Sequence, residues 1–253
     1  VPRFTDNAIC IRDLDWSESS QLVVLLTESR GKVRGLAKGS RRNSPSAIAR
    51  FSGGINLLAQ GQVVATTKAT QLAAVTEWDL RADHYHLRTN LRAQWTAMYA
   101  ADLIDALLAE EDPHPATYRA LLGLLDDTTR DDTGLPLLRF QWSLLADVGY
   151  KPELVQDVET GQPLPDARAY SFDPRLGGLT SRNGMHDELW RVRRETVELL
   201  RAIEQHRDTD AFDNQTFSRA NRLICSYFRA LIDKQLPTMG LILKEGPDRL
   251  GKL

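Results

Sequence analysis

Apolar and polar positions along the first third of the chain alternate in short runs broken by glycine, and after about Trp78 they recur at helical spacing. Asn7 to Arg12 and Gln21 to Thr27 are apolar-rich, strand-like runs separated by the polar connection Asp13 to Ser20. Ser29-Arg30-Gly31 reads as a tight turn, because glycine accepts a positive φ without strain. Lys32 to Lys38 then alternates with a period of two, its polar members mostly on one side. Gly39 to Ser52, rich in Gly, Ser, Arg, Asn and Pro, reads as a flexible loop. Gly53 to Ala59 and Val63 to Thr76 read as two further strands joined around Gly61. Short strands with glycine turns within one small domain predict a barrel such as an OB-fold, and an SH3-like barrel carries the same pattern at this level.

The remainder predicts helices. Trp95, Tyr99, Leu103 and Leu107 form a stripe four residues apart, and Asp112-Pro113-His114-Pro115 ends it. A helix starts near Thr117. Leu135-Pro136 opens another, which carries Leu138, Trp142 and Leu145 at helical spacing and stops at Gly149. Lys151 to Gly184 loses the periodicity and reads as a loop or small irregular hairpin. The helical pattern resumes from Met185, with Leu189, Val192, Leu199 and Ile203 on one face. Phe217, Ile224, Tyr227, Phe228 and Leu231 mark a last long helix ended by Pro237 and Gly240, before a polar, frayed tail from Lys244. The predicted fold class is α+β and multidomain: a barrel over about residues 1–80, then an all-α domain over 81–253 with an irregular insertion at about 151–184.

Charge adds the sharpest feature. Between Ser29 and Thr76 stand Arg30, Lys32, Arg34, Lys38, Arg41, Arg42, Arg50 and Lys68, with no Asp or Glu. That window holds +8 of a chain whose net charge is −2, so the remainder carries −10. A basic β-surface on an acidic body points to a polyanion, most often nucleic acid, against the plainer reading of a solvated basic face. Trp16 and Phe51 are the only aromatic side chains near it in sequence for base stacking, so the implied contact is mostly to the phosphate backbone. The Arg41-Arg42 pair leads into the flexible loop and is placed to fold over a strand.

Other chemistry is thin. Two cysteines, Cys10 and Cys225, give no disulfide framework and suit a reducing cytoplasm. No run approaches a membrane span. Gly35 to Ser40 resembles a phosphate loop but has the wrong order, with Gly39 between Lys38 and Ser40. His84 and His86 lack a third ligand and read as a surface pair. No nucleophile elbow occurs, and no residue is assigned a catalytic role.

Trp16-Ser17-Glu18-Ser19 before a Leu/Val strand, then Gly31-Lys32-Val33-Arg34 and Ala37-Lys38-Gly39-Ser40-Arg41-Arg42, resembles the N-terminal domain of the RecO family of DNA repair mediators. Leu138-Arg139-Phe140, Gly149-Tyr150, Gly161-Gln162-Pro163-Leu164 and Gly177-Gly178-Leu179 extend the resemblance to about Leu236-Pro237. It implies an OB-fold followed by a helical domain, binding of single- and double-stranded DNA, and annealing of complementary strands. It also implies work with RecR to load RecA onto strands coated by the single-strand-binding protein SSB, contact with the SSB C-terminal tail, and a cytoplasmic, nucleoid-associated location.

Many members carry a four-cysteine zinc knuckle. The resemblance places those ligand positions at Asp157, Thr160, Ser181 and Gly184, a set that predicts no zinc and no other cofactor. It also points to Arg139, with Leu138 and Trp142, for the SSB tail, against a plain core role for Trp142. The expected function is therefore a non-enzymatic recombination mediator whose Lys32, Arg34, Lys38, Arg41, Arg42, Arg50 and Lys68 neutralise DNA phosphates. The rivals are a scaffold whose basic barrel grips an acidic protein and an enzyme with a dispersed site.

Overall fold

A computed structural model of the chain describes residues 3–67, 72–128, 134–182 and 189–244. The chain divides into two compact units, 1–131 and 132–253.

The first unit is built on a closed five-stranded barrel. β1 (Arg3–Ser17), β2 (Ser20–Thr27), β3 (Gly31–Ala37), β4 (Gln60–Thr66) and β5 (Ala73–Ala82) close in the order β1-β2-β3-β5-β4. β3 and β5 pair in parallel and the other neighbours are antiparallel. This order, with the helix α1 (Pro45–Phe51) between β3 and β4, gives the OB-like barrel that the strand-and-turn pattern predicts. Closure leaves no long unpaired edge. Ala8, Cys10, Val23, Leu25 and Val63 fill the interior, with Phe51 of α1 and Ile55 plugging it from the α1 side.

Several boundaries differ from the sequence reading. β1 continues to Ser17, so the polar run from Asp13 is strand, and the hairpin closes across Ser17 and Ser20. Gly53 to Ala59 is an irregular connection rather than a strand, and Val63 to Thr76 splits between β4 and β5. The segment read as a flexible loop contains α1. Ser44 caps that helix by accepting from the Ala47 N–H at 3.3 Å, Pro45 opens it, and Ser52 closes it with a φ of 52°.

A short 3-10 helix (Tyr85–Thr89), α2 (Leu91–Leu107) and α3 (Pro115–Asp127) follow the barrel in this unit. Asn90 caps α2 by accepting from the Arg92 and Ala93 N–H groups. His84 is not part of a surface pair: it is buried, and its ring meets that of His86 edge-on with centroids 5.8 Å apart.

The second unit is mostly helical but not purely so. α4 (Gly134–Asp147), α5 (Arg194–Glu204), α6 (Asn214–Ile232) and α7 (Met239–Lys244) accompany an antiparallel three-stranded sheet of β6 (Ala169–Asp173), β7 (Gly178–Thr180) and β8 (Trp190–Arg193), ordered β7-β6-β8. The region read as a loop or irregular hairpin thus supplies two of three paired strands. Among the described residues the helical pattern resumes at Arg194, not Met185. Asp213 caps α6 by accepting from the Thr216 N–H at 2.7 Å, and α6 ends at Asp233, whose φ is 50°. Gly240 lies inside α7 rather than ending the long helix. Among the described residues no helix is long and apolar enough to cross a membrane.

Candidate nucleic-acid interface

The acid-free window does not stay uncompensated in three dimensions. Lys32 is on β3 with a buried side chain, and its Nζ donates to the Asp105 carbonyl at 2.6 Å and lies 3.4 Å from the Asp105 carboxylate. Arg12, outside the window on β1, adds Nε to Asp105 at 2.9 Å and a terminal nitrogen to Asp102 at 3.0 Å. Burial pushes the Asp105 carboxyl up, but the Arg12 hydrogen bond and the Lys32 and Arg12 charges outweigh it and hold the group below the usual carboxylate range. Arg34 pairs with Glu110 at 2.9 Å. Gly31, with a φ of +72°, brings β3 so close to Asp112 that a Cβ would sit 1.8 Å from its carbonyl oxygen. Acids of α2 and of the turn after it thus clamp one end of β3 and neutralise Lys32 and Arg34.

Arg41 is also engaged inside the unit. It donates to Asp13 at 2.9 Å and to Asp15. The turn that carries it is pinned from below by Gln21, a fully buried residue that the charge pattern does not reveal. Gln21 Nε2 donates to the Asp13 carboxylate at 2.7 Å and to the Ile55 carbonyl at 2.8 Å, and its Oε1 accepts from Ser40 at 2.9 Å and the Ile55 N–H at 3.0 Å. The Arg41 N–H donates to the Ser19 carbonyl at 3.1 Å, tying the basic turn to the β1–β2 hairpin. This is a built turn and not a loose arm.

Lys38, Arg42 and Arg50 remain. All three are exposed, and no ion pair engages them among the described residues. Arg42 lies over Gly39, and the Arg50 guanidinium sits 5.3 Å from the centroid of the Phe51 ring. Lys38 and Arg50 flank a cavity of about 610 Å³ with Leu36, Thr66, Leu72 and Thr76, and no acid among the described residues lines it. Arg30 stands over Phe4 at 4.6 Å. Lys68 lies outside the described residues. Of the two aromatic candidates, Trp16 is 60% exposed near the hairpin tip, whereas Phe51 is core.

In the second unit, Leu138 and Trp142 are buried and Arg139 is exposed on α4. The two apolar members therefore serve the core. Asp157, Thr160 and Ser181 do converge. The Asp157 carboxylate accepts from the N–H groups of Glu159 and Thr160 at 2.8 and 3.1 Å, from the N–H and hydroxyl of Ser181 at 2.6 Å each, and from Thr180 at 3.4 Å. These hydrogen bonds, those of Ser181 first, hold its pKa well below the usual range. Gly184 lies outside the described residues. This set does not suit zinc: both carboxylate oxygens already face donors, and Thr and Ser hydroxyls are poor ligands.

An OB-like barrel that leaves Lys38, Arg42 and Arg50 exposed, followed by a mostly helical unit, is a class of architecture that includes nucleic-acid binders. Family models narrow the class: residues 2–83 match the recombination protein O N-terminal model and residues 88–239 match the C-terminal one. The chain belongs to the RecO family. It is similar to the DNA repair protein RecO of Cutibacterium acnes, 29% identical over 96% of this chain and 99% of that one. The Desulforudis audaxviator protein of the same name is 32% identical over 72% and 70%, and that of Dehalococcoides mccartyi 27% over 80% and 79%. RecO proteins are non-catalytic mediators, and this chain has a role in DNA repair and recombination.

Proposed function

We propose that the chain binds single- and double-stranded DNA through the barrel surface of Lys38, Arg42 and Arg50, anneals complementary strands and, with RecR, loads RecA onto SSB-coated single strands. The observation that carries the DNA contact is the cavity flanked by Lys38 and Arg50, cations without acidic partners among the described residues, on a barrel that neutralises Lys32, Arg34 and Arg41 internally. Exposed cations screen the repulsion between two phosphate chains, which promotes annealing without covalent chemistry. Trp16 offers a stacking face for one base beside the turn that carries Arg41 and Arg42. RecR, RecA and the SSB tail enter through family membership, and the cytoplasmic, nucleoid-associated setting follows from the same role. The sheet tied by Asp157 is read as the counterpart of the family's zinc knuckle, held by hydrogen bonds. Titration of the full chain with a fluorescent single-stranded oligonucleotide across a salt series tests the interface. Lys38→Gln with Arg50→Gln is expected to weaken binding and make the log–log salt slope about 1.4 shallower, about 0.7 for each contact to a single strand. Affinity and slope equal to those of the unaltered chain overturn the assignment.

A further inference from the structure

The second unit carries another concentration of positive charge, unrelated to the acid-free window. Among the described residues β8 pairs only with β6 and forms an edge of its sheet. Between β8 and α6 lies a groove of about 510 Å³ lined by Arg191 and Arg193 of the strand and by Arg219, Arg222 and Arg229 of the helix. Among the described residues no Asp, Glu or Lys lines it. Among the described residues no ion pair or side-chain hydrogen bond engages any of the five arginines, and Arg219 acts on the Asp213 cap only through its field. On α6 the offsets of three and seven from Arg222 place Arg219 and Arg229 in one stripe, about 15 Å long at 1.5 Å per residue. Five guanidinium groups around one open groove repel each other until an anion enters.

The groove also has an aromatic wall. Trp190 is half-buried, and its indole stacks on the fully buried Phe172 with centroids 5.7 Å apart and planes 11° from parallel. That backing holds in place a half-buried ring that lines the groove. A fixed aromatic beside a row of cations is the combination that holds an unpaired strand, bases on the ring and phosphates on the guanidiniums.

We propose that this groove is a second binding site for single-stranded nucleic acid, separate from the barrel surface. It rests on the DNA-binding reading of the chain and deepens it, because a chain with two strand-holding surfaces brings two strands together by itself. An acidic peptide would satisfy the arginines. A row of charge about 15 Å long flanked by a stacking ring favours a repeating phosphodiester with bases.

The test uses the full chain, a fluorescent oligo-dT probe and a salt series. Arg222→Gln with Arg229→Gln, both exposed, is expected to lower affinity about tenfold and to make the salt slope about 1.4 shallower. Trp190→Ala is expected to lower affinity about tenfold and Trp190→Phe to restore it, since phenylalanine keeps the stacking face. In the Lys38→Gln, Arg50→Gln background the residual binding is expected to vanish when the groove is also neutralised. Groove variants that bind oligo-dT like the unaltered chain, while the barrel variant loses binding, overturn this site and leave the barrel reading intact. If neither set of variants changes binding, both readings fall. If the groove variants lose only a labelled Glu- and Leu-rich peptide, the groove is a peptide site and the nucleic-acid proposal is overturned.

Discussion

Asp157 and Ser181 are joined twice, because one carboxylate oxygen, Oδ2, accepts both the backbone N–H and the hydroxyl of Ser181 at 2.6 Å each. The other oxygen gathers the N–H groups of Glu159 and Thr160. One side chain thus ties the turn at 157–162 to the strand end after β7, a cross-link between segments that a metal would otherwise supply.

Removing that carboxylate is expected to cost about 2 kcal/mol, since it takes the charged acceptor from several part-buried hydrogen bonds at once. Asp157→Ala should lower the Tm of the full chain by about 4–8 °C. Ser181→Ala, which keeps the backbone N–H, should cost less than half as much. The folded-state pKa of Asp157 is depressed, so its contribution is complete above the unfolded carboxylate pKa and is lost as pH falls through the acid range toward the folded value. Stability measured from pH 7 down to pH 3 should therefore fall less steeply in Asp157→Ala than in the unaltered chain. Added zinc should leave the Tm of either protein unchanged.

Gln21 is a positioning residue for the basic turn. Gln21→Leu leaves the buried Ser40 hydroxyl and both backbone groups of Ile55 without their partners. A cost of about 3 kcal/mol is expected, from several unsatisfied buried groups. Oligonucleotide affinity should fall as well, although Gln21 is fully buried and reaches no ligand. Gln21→Glu should be worse still, because it faces the Asp13 carboxylate from within hydrogen-bonding distance. Chemical denaturation with a parallel binding titration checks both effects.

The barrel was legible because its strands alternate and its turns carry glycine, and the long helices because their apolar stripes repeat. Boundaries failed where a residue has a tertiary reason for its type. Gly61 looks like a turn, yet it lies inside β4, where a Cβ would come within 2.6 Å of the Trp78 ring. Lys32 looks like one more exposed cation, yet it is held by Asp105, 73 positions later in the chain. Charge counts along a window see neither relationship. The groove of Arg191, Arg193, Arg219, Arg222 and Arg229 was hidden for the converse reason: it draws on two segments, one of which looked like a helix.

Cys10 tests how tightly the barrel is closed. Its side chain is fully buried, and burial, with the Asp13 charge adding to it, pushes the thiol above its ordinary pKa. The folded thiol stays protonated where an unfolded one ionises, so its stabilising effect holds below the unfolded pKa and the balance shifts toward unfolding as pH rises past it. Cys225 is equally buried. Alkylation by iodoacetamide at pH 9 should therefore be slow for both cysteines in the folded chain, with a rate that follows the opening equilibrium measured in denaturant. Rapid labelling of Cys10 without unfolding would contradict the closed barrel.

Lys32 and Lys38 stand six residues apart on one side of the same strand pattern, and the structure gives them opposite fates. Lys32→Met keeps the length of a buried aliphatic stem, but it removes a cation from the Asp105 carboxylate and a donor from its carbonyl. Its effect should be on stability, about 2–3 kcal/mol of a partly buried pair, with the Arg12–Asp105 contact limiting the loss. Its effect on the salt slope of oligonucleotide binding should be nil. Lys38→Met should do the reverse, leaving Tm within about 1 °C and making the slope about 0.7 shallower. Equal slopes for the two variants would mean that the clamp of α2 acids on β3 does not withdraw Lys32 from the DNA, and that the charge along the whole strand acts as one surface.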